Sequence, residues 1–117
     1  MIRPVEMRIT FPMVLSNDEV STTSDVWNIL VASRDGDIAK AELLVKYGAS
    51  IDSLEEEYQS TPLGLATRWG HIEMVDFLIK QGADPNKSGA SWSTPLAWAQ
   101  KKGHREIEIT LRKAGAH

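Results

Sequence analysis

The triplet Thr61-Pro62-Leu63 returns 33 positions later as Thr94-Pro95-Leu96. Gly70-His71 and Gly82-Ala83 return at the same interval, as Gly103-His104 and Gly115-Ala116. Three separate markers on one spacing constrain the fold more than any local pattern does, because a period of roughly 20 to 50 residues is the signature of repeated structural units. A more degenerate copy lies upstream: Gly36 precedes Gly70 by 34 positions, and Gly48-Ala49 precedes Gly82-Ala83 by the same distance. The Gly-to-Gly spacing of 12 is kept in all three copies, so the additional residue belongs between Gly48 and Thr61.

Each marker has a local physical reason. A threonine hydroxyl can accept from the unpaired amides of a helix start, and a proline in the next position loses no hydrogen bond there, so Thr61-Pro62 and Thr94-Pro95 open helices. Gly70 and Gly103 permit the positive backbone angle that ends a helix, and Gly82 and Gly115 do the same for a second one. Each unit therefore reads as helix, tight turn, helix, loop. In the second helix of the middle unit Ile72, Val75, Leu78 and Ile79 recur at helical spacing, with Met74 and Phe77 beside them. A helix apolar over most of its circumference needs neighbours on both sides, which stacking of units provides.

On these residues the chain resembles the ankyrin repeat, whose Thr-Pro-Leu-His-x-Ala opening and 33-residue period match Thr61-Pro62-Leu63-Gly64-Leu65-Ala66 and Thr94-Pro95-Leu96-Ala97-Trp98-Ala99. The match covers roughly residues 25 to 117. Gly64 and Ala97 stand where the family has histidine and Trp92 where a loop glycine is usual, so less regular turns are expected there. The resemblance implies an all-α, ankyrin-type helical solenoid of stacked helix-turn-helix units, with repeats at about 25–60, 61–93 and 94–117. It also implies that His71 and His104 bond to loop backbone, and that Trp98, at a leucine position of the pattern, belongs to the core. Trp27 in the first unit is assigned to packing as well.

The outer units should differ from the middle one, because a solenoid end must turn a polar face to water. Subtracting 33 pairs Glu108 with Val75, Thr110 with Phe77 and Arg112 with Ile79, while Ile107, Ile109 and Leu111 are left to face inward. This suggests that the stack ends there. The first unit lacks Thr-Pro and begins after Ser24, with Val26, Ile29, Leu30 and Ala32 available to pack. Residues 1–24 lie outside the period. Val5, Met7, Ile9 and Phe11 alternate with Glu6, Arg8 and Thr10 as in a strand, and Ser16 to Ser24 reads as a linker. A lone strand is not stable. This extended arm is open to three readings: packing over the first unit, disorder, or pairing with a partner's strand.

Chemistry is scarce. His71-Ile72-Glu73 and His104-Arg105-Glu106 spell the His-x-Glu of zinc deaminases, but those enzymes need cysteine ligands and this chain has none. Equivalent histidines on stacked helices would stand about 8–10 Å apart, too far to share one zinc ion. Phosphate-binding glycine loops and a nucleophile elbow are missing from the sequence. Glu55-Glu56-Glu57 reads as a solvated charge run. The expectation is a protein that is not an enzyme and uses no metal or cofactor. A net charge of -3 disfavours nucleic acid, since phosphate attraction supplies much of that affinity. Arg3, Glu6 and Arg8 interrupt any signal-peptide core, and no stretch has the length of a membrane span, so a soluble, cytoplasmic protein is expected.

In proteins that resemble this one, partners meet the loop tips and the exposed ends of the first helices, on the concave side. The resemblance places the loop tips here at Glu57, Tyr58 and Ser60 and at Ala90, Ser91 and Ser93. It places the helix ends at Arg34 and Asp35, Arg68 and Trp69, and Lys101 and Lys102. Tyr58 and Trp69 are the expected anchors, because large aromatic side chains and arginine dominate binding energies. Charge changes sign along the stack, from Glu55–Glu57 to Lys101 and Lys102, which suits a partner of reverse polarity. The expected function is a protein–protein interaction module: an adaptor, scaffold or inhibitor. A non-catalytic binder of a small molecule or nucleic acid is the alternative, resting on Arg68, Trp69, Lys101 and Lys102. A self-associating scaffold using the arm or Trp92 is a further one, although a monomer is expected.

Overall fold

The structure is a computed structural model that describes the backbone of residues 22–117 and the side chains of residues 29–117. Of the arm read over residues 1–24, residues 1–21 lie outside these, as does the reading of Trp27 as packing. Six α-helices follow one another: α1 (Thr22–Asp35), α2 (Ile38–Lys46), α3 (Pro62–Arg68), α4 (Ile72–Lys80), α5 (Pro95–Lys102) and α6 (Arg105–Lys113). They form three helix-turn-helix units in the expected register. The first begins earlier than expected, with Ser24 inside α1 rather than in front of it.

The helix ends follow the sequence signals. Thr61 Oγ1 accepts from the Gly64 amide at 3.2 Å and Thr94 Oγ1 from the Ala97 amide at 3.0 Å, each with proline in the first turn. Each cap is worth about 1 kcal/mol. The first unit caps α2 instead, where Asp37 Oδ1 accepts from Lys40 N. The turns inside the units pass through Gly36, Gly70 and Gly103, with φ of 74°, 77° and 73°.

Two of these glycines are required twice over. The His71 ring belongs to the second unit and lies against Gly36 of the first, where an added Cβ would come within 2.7 Å of Nδ1. The His104 ring stands the same way against Gly70, at 2.9 Å from Cε1. Across the same junctions His71 Nε2 donates to the Arg34 carbonyl at 2.8 Å, and His104 Nε2 reaches the Arg68 carbonyl at 3.4 Å. A carbonyl can only accept, so the bond itself assigns the proton to Nε2. The repeated Gly-His is thus a device that locks one unit to the next.

Helix α3 packs against α1 on one side and α5 on the other, and α4 lies behind it between α2 and α6. The core runs through the stack: Ile29, Leu63, Ala66, Met74, Val75, Leu78, Ala99 and Leu111 are fully buried. Ile72, Phe77 and Ile79 are packed against this core and partly buried. At the far end Ile107 and Leu111 face inward as expected, but Ile109 is 48% exposed and does not. A nine-residue helix covered along one stripe has room for inward residues four apart, and Ile109, two positions from each, points away. On α2, Leu43 and the following Tyr47 are 56% and 77% exposed, so the first unit ends the described stack with apolar side chains uncovered.

The loops form a second, polar seam. Glu55 and Ser60 pair as an antiparallel bridge, and the Glu55 carboxylate accepts from the amides of Glu57 and Tyr58 at 2.7 Å each. Glu55 is therefore a structural clamp, whereas Glu56 and Glu57 are exposed. In the next loop Ser91–Ser93 form a 3-10 turn, so the two loops differ where Trp92 replaces the usual glycine. Gln59 occupies the equivalent position of the first loop and takes φ of 49°, the conformation that glycine would adopt without strain. Its carbonyl accepts from Gly89 N at 2.8 Å and from the Ser93 hydroxyl at 2.7 Å, which joins the loops.

Candidate functional site

The loop tips and the C-terminal ends of α1, α3 and α5 converge on one face, where the ring stack starts at the last turn of α3. Trp69 follows the end of that helix and is 37% exposed. It meets Tyr58 edge to face at a centroid distance of 5.5 Å. Tyr58 meets Trp98 at 6.2 Å, and Trp98 meets Trp92 at 6.1 Å, all close to perpendicular. Edge-to-face pairs at such distances are favourable beyond the area they bury. Trp98 is 5% exposed and in the core as expected, and Trp92 is 48% exposed. Four rings from two loops and two helices thus form a continuous aromatic ridge.

Cations lie on this ridge. The Arg68 guanidinium carbon is 4.1 Å from the Trp69 ring centre, 4.5 Å from Tyr58 and 5.1 Å from Trp98. Lys101 Nζ is 5.0 Å from Trp98 and 5.9 Å from Trp92. Rings attract cations over their faces by roughly 0.5–1 kcal/mol at exposed sites, and arginine stacks well because it is planar and weakly hydrated. Among the described residues Arg68, Lys101 and Lys102 make no ion pair, and Arg68 Nε is shut off from solvent without a hydrogen-bond partner.

Nearer the first unit the face has another character. Leu30, Val31, Leu65 and Tyr58 line a cleft of about 70 Å³ with Arg34, Glu55 and Glu57. Arg34 Nε donates to Asp35 Oδ1 at 3.0 Å, and this bond, followed by the Asp35 charge, raises the arginine above its already high ordinary pKa. Both side chains are about half exposed.

Of the expected partner-facing residues, Arg34, Asp35, Glu57, Ser91, Trp69, Lys101 and Lys102 are exposed, and Tyr58, Arg68 and Ala90 are partly buried. Ser60 and Ser93 are corrections. Both are fully buried, so neither presents a surface to a partner. The Ser60 hydroxyl donates to the Tyr58 carbonyl and accepts from Trp98 Nε1, at 2.8 Å each, and Ser93 is spent on Gln59 and Ala90 carbonyls. Small hydroxyl residues just before a helix cap look solvent-facing in sequence, yet here a loop's polar groups need them. Trp92 and the Leu30–Val31 floor are additions. Trp92 carried a signal, as a tryptophan at a glycine position, whereas the floor shows only once α1 is set against the first loop.

Among the described residues there is no group of three or more histidine, cysteine, aspartate or glutamate side chains that could hold a metal ion. No helix of the described residues is long and apolar enough to cross a membrane.

Known proteins are similar to this chain in sequence. The family model "Ankyrin repeats (3 copies)" matches residues 29–117. The ARF GTPase-activating protein GIT2 of Rattus norvegicus is 34% identical over 96 residues, which are 81% of this chain and 13% of that protein. The inactive serine/threonine-protein kinase TEX14 of Mus musculus is 32% identical over 83 residues, 71% of this chain and 6% of its own length. The 2-5A-dependent ribonuclease of Mus musculus is 28% identical over 76 residues, 65% of this chain and 10% of its own. The chain spans 13% or less of the length of each of these relatives, and the activities in their names are those of much longer proteins. With its repeat period, its interlocked Gly-His turns and a family match over three units, the chain belongs to the ankyrin repeat family.

Proposed function

We propose that this chain is a non-catalytic protein–protein interaction module, an adaptor, scaffold or inhibitor, that holds its partner on the face made by the loop tips and the ends of α1, α3 and α5. The observation that carries the reading is the aromatic ridge. Trp69 and Trp92 keep 37% and 48% of their surface in water beside Arg68, Lys101 and Lys102, which make no ion pair among the described residues, although burying the two rings would have stabilised the chain alone. Aromatic and arginine side chains clustered in this way are what dominate protein interfaces. Ankyrin repeats present such faces on a rigid stack, so a partner meets preformed geometry and little ordering entropy is lost on binding. The working unit is a cytoplasmic monomer, and its contacts include Arg34, Asp35, Glu57, Tyr58, Ala90, Ser91, Lys101 and Lys102.

Alanine at Trp69 together with Tyr58 tests this. Binding of a partner isolated with the intact chain is expected to weaken at least 100-fold, roughly 3 kcal/mol, with helical circular dichroism retained. Unchanged affinity would exclude this face.

A further inference from the structure

Among the described residues Arg68 is held by rings and by no anion. Its guanidinium lies against Trp69, Tyr58 and Trp98, and its Nε is buried without a partner. The acidic run Glu55–Glu57 does not serve it: Glu55 places its two carboxylate oxygens on the amides of Glu57 and Tyr58, and neither Glu56 nor Glu57 pairs with Arg68. Lys101 lies along the same ridge, and neither it nor Lys102 meets a carboxylate among the described residues. With Nε shut in, the edge of the guanidinium left for a partner is the one that carries its two Nη atoms, and that edge matches a carboxylate in bidentate geometry.

From this geometry we infer that the partner presents an acidic peptide segment, with one Asp or Glu carboxylate gripped by Arg68. A second acidic residue lies toward Lys101 and Lys102, and an apolar residue lies between Trp69 and Trp92. The inference rests on the proposed binding face and adds the chemistry of its occupant. Polarity fixes which end of the segment carries the acids, since the face becomes acidic toward Glu56 and Glu57. A nucleic acid would also offer anions to Arg68, but its evenly charged backbone would run into these glutamates, and the chain's net charge of -3 repels it further. A peptide can carry a neutral or basic residue at that end.

The test uses random dodecapeptides displayed on phage and selected against the full chain, followed by synthetic copies of the enriched sequences. The expected result is enrichment of Asp and Glu in the selected peptides. Replacing those residues by Asn and Gln is expected to weaken binding at least tenfold, and Arg68→Gln on the chain to remove that difference. Arg68→Lys keeps the charge without the fork and is expected to restore only part of the affinity, with circular dichroism checking both variants. Peptides that bind the same face, as shown by loss on Trp69→Ala, but are indifferent to the acid-to-amide exchange would overturn the acidic partner and leave the binding face standing. Peptides that are insensitive to Trp69→Ala, or no enriched peptides at all, would overturn both. Saturable binding of single-stranded polyuridylate that is lost with Arg68→Gln would assign the ridge to nucleic acid instead.

Discussion

The indole N–H of Trp98 donates to the Ser60 hydroxyl at 2.8 Å, tying helix α5 to the residue that leads into α3. Both side chains are buried, at 5% and 0% exposure. This one bond couples the packing of two units to the shape of the first loop, and so supports the aromatic ridge from below.

Removing the acceptor leaves a buried indole N–H unpaired. Ser60→Ala is expected to cost about 1–3 kcal/mol, and Trp98→Phe a similar amount through lost packing and the lost bond. In a double-mutant cycle by urea denaturation the two losses are expected to be less than additive, with a coupling of about 1 kcal/mol. Strict additivity would show that the bond contributes nothing.

The Gly-His lock separates two costs that usually travel together. Gly103→Ala pays only for its φ of 73°, since nothing lies within 4 Å of the added Cβ, and is expected to destabilise by about 1–2 kcal/mol. Gly70→Ala has the same backbone cost at φ 77° and also meets the His104 ring at 2.9 Å. Its loss is therefore expected to be the larger of the two in thermal unfolding. Combining Gly70→Ala with His104→Ala should relieve the clash and bring the added cost of the glycine substitution down to that of Gly103→Ala.

The positions of the helices were legible because they depend on local chemistry. Thr61, Thr94 and the turn glycines act within a few residues of themselves, and their repetition at one spacing removes the ambiguity that any single occurrence would carry. The site was only half legible. Tyr58, Trp69 and Arg68 could be placed on the face by their offset from Thr61, but offset alone does not reveal direction, and Ser60 and Ser93 at neighbouring offsets are buried beneath it. The cleft over Leu30 and Val31 is made by the approach of two units, which no local pattern encodes. Ile109 shows the same gap, since an apolar residue on a nine-residue helix is assigned inward by composition and outward by the helix's pitch.

Helix caps offer a test of the units taken singly. Thr61→Ala and Thr94→Ala are each expected to cost about 1 kcal/mol in chemical denaturation, because each removes one acceptor from an amide at a helix start. Serine at either position should restore nearly all of it.

Acid sensitivity at the last unit follows from Glu108. Its carboxylate accepts from Gln100 at 3.4 Å and from Arg112 at 3.1 Å, and these two bonds hold its pKa below the ordinary carboxylate value. A carboxylate whose pKa is lower folded than unfolded stabilises the fold above its unfolded pKa. That contribution is lost as the pH falls through the depressed folded value. Glu108→Gln is therefore expected to flatten the acid limb of a stability–pH profile below about pH 4.5, while leaving the neutral limb's slope unchanged. The effect is expected to be small, because the pair is exposed.

A partner held on the proposed face would lie within crosslinking reach of both Trp69 and Lys101. Photo-crosslinking tests this, with the light-activated residue p-benzoylphenylalanine placed in turn at Trp69 and Lys101 and, as controls on the second helices of two units, at Asp76 on α4 and Lys113 on α6, which are exposed. One partner protein is expected to be captured from positions 69 and 101 and not from 76 and 113. Capture of that protein from positions 76 and 113, with none from 69 and 101, would contradict it.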